Sequence, residues 1–211
     1  ASKPILYVGG GAIASGATEE LVKLSTMMQI PVVTTLMGKG AFPASHPMNL
    51  GPVGMHGSKF ANLAMTESDL IIAAGARFSD RVTGKLSEFA PHAKVIHIDI
   101  DPAEIGKIRE AQVPIVGDLK GVVAGIVNTI EKEGCTPRTE AWNTQIAEWR
   151  ERYPFYDAQI TENPDEIVPE VAMQKLSAKL DAHNSVVVTE VGQHQMWAAQ
   201  FIDREEPRSF I

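Results

Sequence analysis

The segment Ile5-Leu6-Tyr7-Val8-Gly9-Gly10-Gly11-Ala12 is a short apolar strand that runs directly into a glycine turn. Further apolar runs alternate along the chain with segments whose apolar residues recur at helical spacing. The predicted strands are residues 5–8, 31–36, 70–74, 95–100 and 113–116, and the predicted helices are residues 17–28, 58–66, 102–108 and 120–132. Because strands that are apolar throughout are covered on both faces, the sequence predicts an α/β fold with a doubly wound, mostly parallel, Rossmann-like sheet.

The alternating pattern ends near residue 133, and the rest of the chain is organised differently. We expect a central α/β domain at residues 1–133, a linker with one amphipathic helix (140–152) at residues 134–169, and the start of another domain at residues 170–211. In this last part a helix at 171–180 precedes a buried strand at 186–189, and a second helix starts after Gly192. Since a strand follows Ala1 almost at once, we expect the chain to be part of a longer protein.

Charge and composition exclude several classes of function. The 211 residues carry a net charge of −7, which argues against nucleic acid or an anionic membrane as the main partner. No apolar run approaches the roughly 20 residues that a membrane span needs. Cys135 is the one cysteine, so an internal disulfide cannot form and a reducing compartment is expected, which we take to be the cytoplasm of a bacterium.

Ligands of doubly wound sheets bind outside the carboxyl ends of the strands, and glycines follow the first strand here. Gly9, Gly10 and Gly11 fit the loose pattern G-x-G-x-x-A, in which glycines let the backbone approach a pyrophosphate. The alternative is a glycine turn that is needed for geometry alone. Thr34 and Thr35 stand where an acid would bind a ribose, so an NAD-type ribose contact is not expected.

The second and third strands are followed by two further candidate segments. The stretch from Thr35 to Gly57 shows almost no regular pattern, and a loop of this length is usually functional. His56 in this loop either donates a hydrogen bond to a cofactor or is an ordinary loop residue; no second His or Cys stands at metal-ligand spacing, so no metal site is expected. Arg77 and Arg81 suit a phosphate or carboxylate, with a surface ion pair to Asp80 as the alternative.

Three acids follow the fourth and fifth strands. Asp101 precedes Pro102 and is expected to cap a short helix, whereas Asp99 is expected to accept hydrogen bonds from ribose hydroxyls of a ligand. Asp118 follows Gly117 and is a candidate cap as well. Polar groups and glycines at five strand ends together predict one shared ligand site.

Four segments, taken in order, resemble the catalytic subunit of acetolactate synthase (acetohydroxyacid synthase). They are Gly54-Met55-His56-Gly57, residues 75–84 (Gly-Ala-Arg-Phe-Ser-Asp-Arg-Val-Thr-Gly), residues 97–102 (His-Ile-Asp-Ile-Asp-Pro) and residues 191–200 (Val-Gly-Gln-His-Gln-Met-Trp-Ala-Ala-Gln). The resemblance implies the FAD-binding middle domain of a thiamine-diphosphate enzyme and the opening of its C-terminal domain. The FAD-lining positions that it implies are Gly9, Gly10, Gly11, Thr35, Leu36, His56, Gly57, Gly75, Arg77, Arg81, Val82, Asp99, Ile100 and Asp118.

The same resemblance implies the chemistry of the whole enzyme. Two pyruvates, or pyruvate and 2-ketobutyrate, are joined with loss of CO₂ in branched-chain amino acid biosynthesis, with thiamine diphosphate, Mg²⁺ and a FAD that undergoes no net redox change. Arg81 would bind the carboxylate of the second substrate with Met55 and Asp80 nearby, and Gly192, Gln193 and His194 would contact thiamine diphosphate. The family's catalytic glutamate and its metal motif match no residue of this chain, so no catalytic residue and no metal ligand is expected here, and the chain is expected to be inactive alone.

Further expectations concern partners, alternatives and single side chains. The family forms dimers or tetramers and binds a small regulatory subunit. Three alternatives remain: glyoxylate carboligase, a flavin module without carboligase chemistry such as an electron-transfer domain, and a scaffold that has lost FAD.

Lys39 departs from the family pattern and is expected to be solvated rather than paired with a flavin phosphate. Partial exposure, and through it self-association, is expected of Trp142, Trp149, Met196 and Trp197.

Overall fold

The computed structural model describes residues 1–155, 167–180 and 184–211. Its centre is a six-stranded sheet in which every neighbouring pair is parallel, with the order β3-β2-β1-β4-β5-β6. The strands are β1 (Pro4–Val8), β2 (Val32–Thr34), β3 (Asn49–Pro52), β4 (Leu70–Ala74), β5 (Lys94–Asp99) and β6 (Val113–Val116). The α/β fold with a parallel sheet is therefore confirmed.

Helices cover both faces of the sheet. The α-helices of the described residues are α1 (Gly10–Ser15), α2 (Thr18–Met28), α3 (Lys59–Thr66), α4 (Asp80–Thr83), α5 (Leu119–Glu133), α6 (Glu140–Arg152), α7 (Pro169–Ser177) and α8 (Gln193–Phe201). Strand residues alternate between the faces, so Ile5 and Tyr7 pack towards α3 and α6, whereas Leu6 and Val8 pack towards α2 and α5. All four side chains are fully buried, which explains why the strand reads as a continuous apolar run.

The long segment after β2 contains a strand that the sequence did not predict. Asn49–Pro52 pairs with β2 and forms one edge of the sheet, although Asn49, Gly51 and Pro52 are poor strand formers. A proline is tolerated at an edge, where its missing N–H is not needed for pairing. The prediction of a loop without regular structure was wrong at this position.

The helix predicted at residues 102–108 is absent, and turns take its place. Gly106 has a φ of +74°, which ends any helical run after four residues. Asp101 still accepts a hydrogen bond from the backbone N–H of Ala103 at 2.9 Å, so its carboxylate stabilises a turn and not a helix. Its assignment as a helix cap was wrong.

The amphipathic helix α6 begins and ends as predicted, and it packs against the sheet. Trp142 is 2% exposed, and its Nε1–H donates to the carbonyl of Pro4 at 3.1 Å. Trp149 contacts it edge-on, with ring centroids 5.7 Å apart. The expectation that Trp142 is partly uncovered was therefore wrong.

The β-branched run at residues 186–189 does not join the sheet. Val187 pairs with Phe210 in an isolated bridge, whereas Val186 and Val188 are 58% and 72% exposed. The prediction of a buried strand was wrong, because a strand needs neighbours and the described residues provide only the segment around Phe210 as a partner. The helix start after Gly192 is confirmed, and residues 156–166 of the predicted linker lie outside the described residues.

In the part of the chain that the structure describes, no helix has both the length and the apolar character that crossing a membrane requires.

Candidate functional site

The loops that follow β1, β4 and β5 are joined at the carboxyl edge of the sheet. The backbone N–H of Gly9 donates to the carbonyl of Ala74 at 3.1 Å, and that of Gly11 donates to Gly75 at 3.0 Å. The N–H of Gly75 donates in turn to Ile98 at 2.9 Å. Since Val8, Ala74 and Ile98 are register partners, the three strands end level with one another.

All the positions that the resemblance implied for FAD follow the carboxyl ends of the six strands. They are Gly9, Gly10 and Gly11 after β1, Thr35 and Leu36 after β2, His56 and Gly57 after β3, Gly75, Arg77, Arg81 and Val82 after β4, Asp99 and Ile100 at the end of β5, and Asp118 after β6. The strands β1, β4 and β5 end level at one edge of the sheet, while the shared ligand site and the role of each residue stay predictions.

Close packing of backbones explains two of the three glycines after β1. A Cβ on Gly11 would lie 2.8 Å from the Cα of Gly75, and a Cβ on Gly9 would collide with the carbonyl of Gly75. Gly10 differs, because its Cβ would meet only Met37, with the nearest atom at 3.2 Å. Geometry alone therefore requires Gly9 and Gly11, whereas packing does not explain the partly exposed Gly10 in the same way.

The two arginines after β4 face solvent. Arg77 and Arg81 are exposed, and neither forms an ion pair with a residue in the described ranges. The Asp80 carboxylate accepts the backbone N–H of Arg81 at 3.0 Å, so the alternative of a surface ion pair within this segment is not seen. Both guanidinium groups are therefore available to an anion.

A two-point contact holds the loop after β3 next to this segment. Asn62 accepts the N–H of Gly54 at 2.9 Å through Oδ1 and donates to the Gly54 carbonyl at 3.0 Å through Nδ2. The N–H of Met55 donates to the carbonyl of Arg81 at 2.8 Å. Asn62 was not predicted, and its signal in the sequence is an amide in the first turn of a mostly apolar helix that follows a glycine-rich loop.

The acids at the end of the sheet also serve their own backbone. Asp99 is half-buried and accepts the N–H of Asp101 at 3.0 Å. Asp118 accepts the N–H of Gly121 at 3.2 Å and is the N-cap of α5, as predicted. Each carboxylate has a further oxygen whose lone pairs suit a hydroxyl donor.

Three large apolar side chains lie exposed in the loops after β2, β3 and β5. Met37 is 71% exposed, Met55 63% and Ile100 72%. Such side chains at a loop edge indicate a surface that covers a ligand or another part of a protein. Met37 was not predicted, whereas Met55 was named because of the family resemblance.

The C-terminal part of the chain contacts the same edge through α8. Gln200 donates through Nε2 to the carbonyl of His56 at 2.8 Å. A cleft of about 270 Å³ lies between β2, β3 and α8, and its lining includes Thr35 and Leu36. Gly192, Gln193 and His194, predicted to contact thiamine diphosphate, lie at the other end of α8, since seven residues of helix span about 10 Å.

Lys39 is not solvated, contrary to expectation. It is half-buried, its Nζ donates to the carbonyl of Ala199 at 2.8 Å, and its ammonium lies 5.8 Å from the ring centroid of Phe210. Burial lowers the pKa of Lys39 to about 8, and Asp203 nearby opposes this shift. The side chain therefore connects the central domain with α8.

Within the described ranges no group of three or more His, Cys, Asp or Glu side chains is arranged to hold a metal ion.

Comparison with known proteins gives a family match and close relatives. Residues 1–126 match the family model for the central domain of thiamine pyrophosphate enzymes. Similar proteins include the acetolactate synthase large subunit of Parasynechococcus marenigrum (49% identical, 100% of this chain, 33% of the relative), an acetolactate synthase of Mycobacterium bovis (51%, 100%, 34%) and a probable large subunit of Methanocaldococcus jannaschii (47%, 99%, 36%). The chain spans about a third of the length of these curated relatives.

Proposed function

We propose that this chain, which belongs to the thiamine pyrophosphate enzyme family, is the FAD-binding part of an acetolactate synthase large subunit. One observation supports the proposal, namely that the glycine turn, three exposed apolar side chains and two arginines without an ion pair among the described residues all follow the carboxyl ends of the parallel strands. FAD combines a diphosphate with flat aromatic rings, and this edge offers a partner for each. The relatives named above support the choice of acetolactate synthase.

The residues present fit an extended dinucleotide. Arg77 and the N–H side of Gly10 would bind the diphosphate, because guanidinium and backbone N–H groups pair with phosphate oxygens. Met37, Met55 and Ile100 would cover the ring systems, and Asp99 would accept from a ribose hydroxyl. FAD would have a structural role, with no net oxidation or reduction.

In the whole enzyme Arg81 would bind a substrate carboxylate. The carbonyl of Arg81 accepts a hydrogen bond from the N–H of Met55, so the backbone that carries the guanidinium is held in place. Thiamine diphosphate, when bound, supplies the electron sink that lets a 2-keto acid lose CO₂ and form a carbon–carbon bond. Pyruvate and 2-ketobutyrate would be the substrates, Mg²⁺ would anchor thiamine diphosphate, and Gly192, Gln193 and His194 would contact that cofactor.

Assembly and location are part of the same proposal. A homodimer or homotetramer with a small regulatory subunit is the arrangement that the family suggests, and the bacterial cytoplasm is the compartment that we infer for a biosynthetic enzyme with one exposed cysteine.

Flavin fluorescence gives the test of cofactor binding. We expect FAD fluorescence to change on titration with the 211-residue chain, and Arg77→Met to weaken binding about tenfold, as the loss of a charge-assisted contact predicts. The control is Arg138→Gln, an exposed arginine before α6 that is far from the edge in sequence. Equal losses in both variants would contradict the proposal.

The reaction is tested with the complete large subunit, supplied with thiamine diphosphate, Mg²⁺ and FAD. Acetolactate from pyruvate is the expected product. If glyoxylate is the accepted substrate instead, the protein is a glyoxylate carboligase, and reversible reduction of a bound flavin by a partner protein would indicate an electron-transfer module.

A further inference from the structure

Two buried side chains hold the backbone of the segment that carries Arg77. Tyr7 in β1 is fully buried, and its hydroxyl donates to the carbonyl of Arg77 at 2.9 Å. His97 in β5 is 1% exposed, and its Nε2 lies 3.1 Å from the carbonyl oxygen of Ala76. Two consecutive carbonyls, in the loop directly after β4, are thus bound from the two neighbouring strands β1 and β5.

The chemistry of the contacts fixes the state of both side chains. A carbonyl oxygen can only accept, so Nε2 of His97 carries the proton and Nδ1 does not. Nδ1 is buried and has no hydrogen-bond partner among the described residues. Burial lowers the pKa of His97 and raises the pKa of Tyr7, so both remain neutral donors near pH 7.

Phe78 completes this arrangement from the inside. Its ring centroid lies 5.6 Å from that of Tyr7 and 5.3 Å from that of His97, in an edge-on contact with the imidazole. Phe78 is 4% exposed while Arg77 beside it faces solvent. The inward ring and the two bound carbonyls together restrain the backbone at Arg77, while its side chain stays exposed.

The restraint continues along the chain to Arg81. The Arg77 carbonyl also accepts the N–H of Ser79 at 3.2 Å, and the Ser79 carbonyl accepts the N–H groups of Val82 and Thr83 at 2.9 Å each. A change at the Tyr7 hydroxyl therefore reaches the first turn of α4 through shared acceptors.

We propose that Tyr7 and His97 are positioning residues that preorganise Arg77 for the anionic part of the bound dinucleotide, through the carbonyls of Arg77 and Ala76. The proposal rests on the proposed function, since it assigns Arg77 a phosphate to bind. Preorganised groups bind more tightly because the entropy of ordering them is not lost at binding.

The first experiment separates positioning from simple packing. Tyr7→Phe and His97→Leu each remove one hydrogen bond, His97→Gln keeps an N–H donor, and Phe89→Leu removes packing against Phe78 without touching either carbonyl. We expect Tyr7→Phe and His97→Leu to weaken FAD binding about five- to tenfold, with His97→Gln close to the wild type, as the value of one hydrogen bond suggests. Phe89→Leu is expected to lower the melting temperature while FAD affinity changes less than twofold. An affinity loss that follows melting temperature across all four variants would overturn the proposal.

The second experiment asks whether the effect passes through Arg77. In a double-mutant cycle, Tyr7→Phe should have little effect on FAD affinity once Arg77 is replaced by Met. Additive losses would show that Tyr7 acts independently of Arg77 and would overturn the proposal.

A third measurement needs no cofactor and distinguishes failure of this inference from failure of the proposed function. Hydrogen exchange of the Ser79 amide should become faster in Tyr7→Phe than in Phe89→Leu, because Ser79 donates to the carbonyl that Tyr7 holds. If the wild-type chain binds no FAD, the proposed function fails and the assignment to a dinucleotide falls with it. Unchanged exchange at Ser79 would contradict the positioning itself.

Discussion

A Cβ atom on Gly75 would lie 2.7 Å from the Cα of Gly11, so the turns after β4 and β1 touch backbone to backbone. Gly75 also has a φ of +57°, a conformation that costs other residues energy. This contact brings the glycine turn next to the segment of Arg77. Sheet edge and candidate site therefore depend on the same pair of glycines.

Replacement of either glycine should destabilise the chain. We expect Gly11→Ala to lower the free energy of unfolding by about 2–4 kcal/mol, because backbone atoms cannot move aside as flexible side chains can. Gly125→Ala in α5 is the matched control, since its Cβ would meet no atom within 4 Å. That control should gain about 0.5–1 kcal/mol from helix propensity, as measured by urea unfolding. Equal stability of the two variants would contradict the packing described here.

Lys39→Met should stabilise the chain at neutral pH. Burial holds the pKa of Lys39 near 8, below its ordinary value, so the ammonium is kept charged at a cost. The gain should be about 1–3 kcal/mol, since one pKa unit corresponds to about 1.4 kcal/mol and part of the shift is screened. Because the folded pKa is depressed, this cost is greatest below pH 8 and disappears as the pH rises towards 10.5. Thermal unfolding of the wild type and of Lys39→Met from pH 7 to 10.5 measures their difference in stability. A difference that stays constant over this pH range would contradict the account.

His46 should make the chain sensitive to mild acid. Its Nδ1 accepts the N–H of Met48 at 3.2 Å, so Nε2 carries the proton and donates to Thr26 Oγ1 at 3.1 Å. Burial lowers the pKa of His46, and its stabilising contribution is therefore complete above about pH 6.5 and is lost as the pH falls through the lower folded value. Comparison of urea unfolding at pH 7.5 and 5 for the wild type and His46→Asn should show a smaller loss in the variant. The same loss of stability in the wild type and the variant would rule out His46 as the source of the acid sensitivity. His92→Asn, at an exposed histidine, is the control.

Asn62→Ala should loosen the loop of Met55 and His56. Both amide atoms of Asn62 bind the backbone of Gly54, so the variant leaves a donor and an acceptor without these partners. We expect a loss of about 1–2 kcal/mol in the free energy of unfolding and faster amide exchange at Met55. The control Asn128→Ala, on an exposed face of α5, should be close to neutral. Slow exchange at Met55 in Asn62→Ala would contradict this role.

The sheet could be predicted because its strands are buried on both faces and read as apolar runs. β1, β4 and β6 were found within one residue of their observed bounds, and the convergence of Gly9–Gly11, the segment after β4 and Asp99 followed from parallel topology. Strand β3 could not be found this way, because its pairing depends on the neighbour β2 and not on the propensity of Asn49, Gly51 and Pro52.

Contacts between segments that are distant in sequence could not be predicted from local sequence patterns. Lys39 looked like a surface residue in a glycine loop, and only the fold brings it under α8 at Ala199. The run at Val186–Val188 looked like a buried strand, and only the fold shows that Val187 pairs with Phe210 in an isolated bridge, the one strand contact of this run among the described residues. Tyr7 and His97 look like ordinary core residues in the sequence. The alternation of a strand predicts that they are buried, but it does not indicate which carbonyl a buried donor binds.

A crystal structure of the chain grown with FAD tests the central claim most directly. We expect the dinucleotide to extend along the carboxyl edge, with its diphosphate between Gly10 and Arg77 and a ribose near Asp99. FAD bound elsewhere on the molecule, or no binding in solution at about 100 µM, a concentration that detects affinities near 5–6 kcal/mol, would contradict the account.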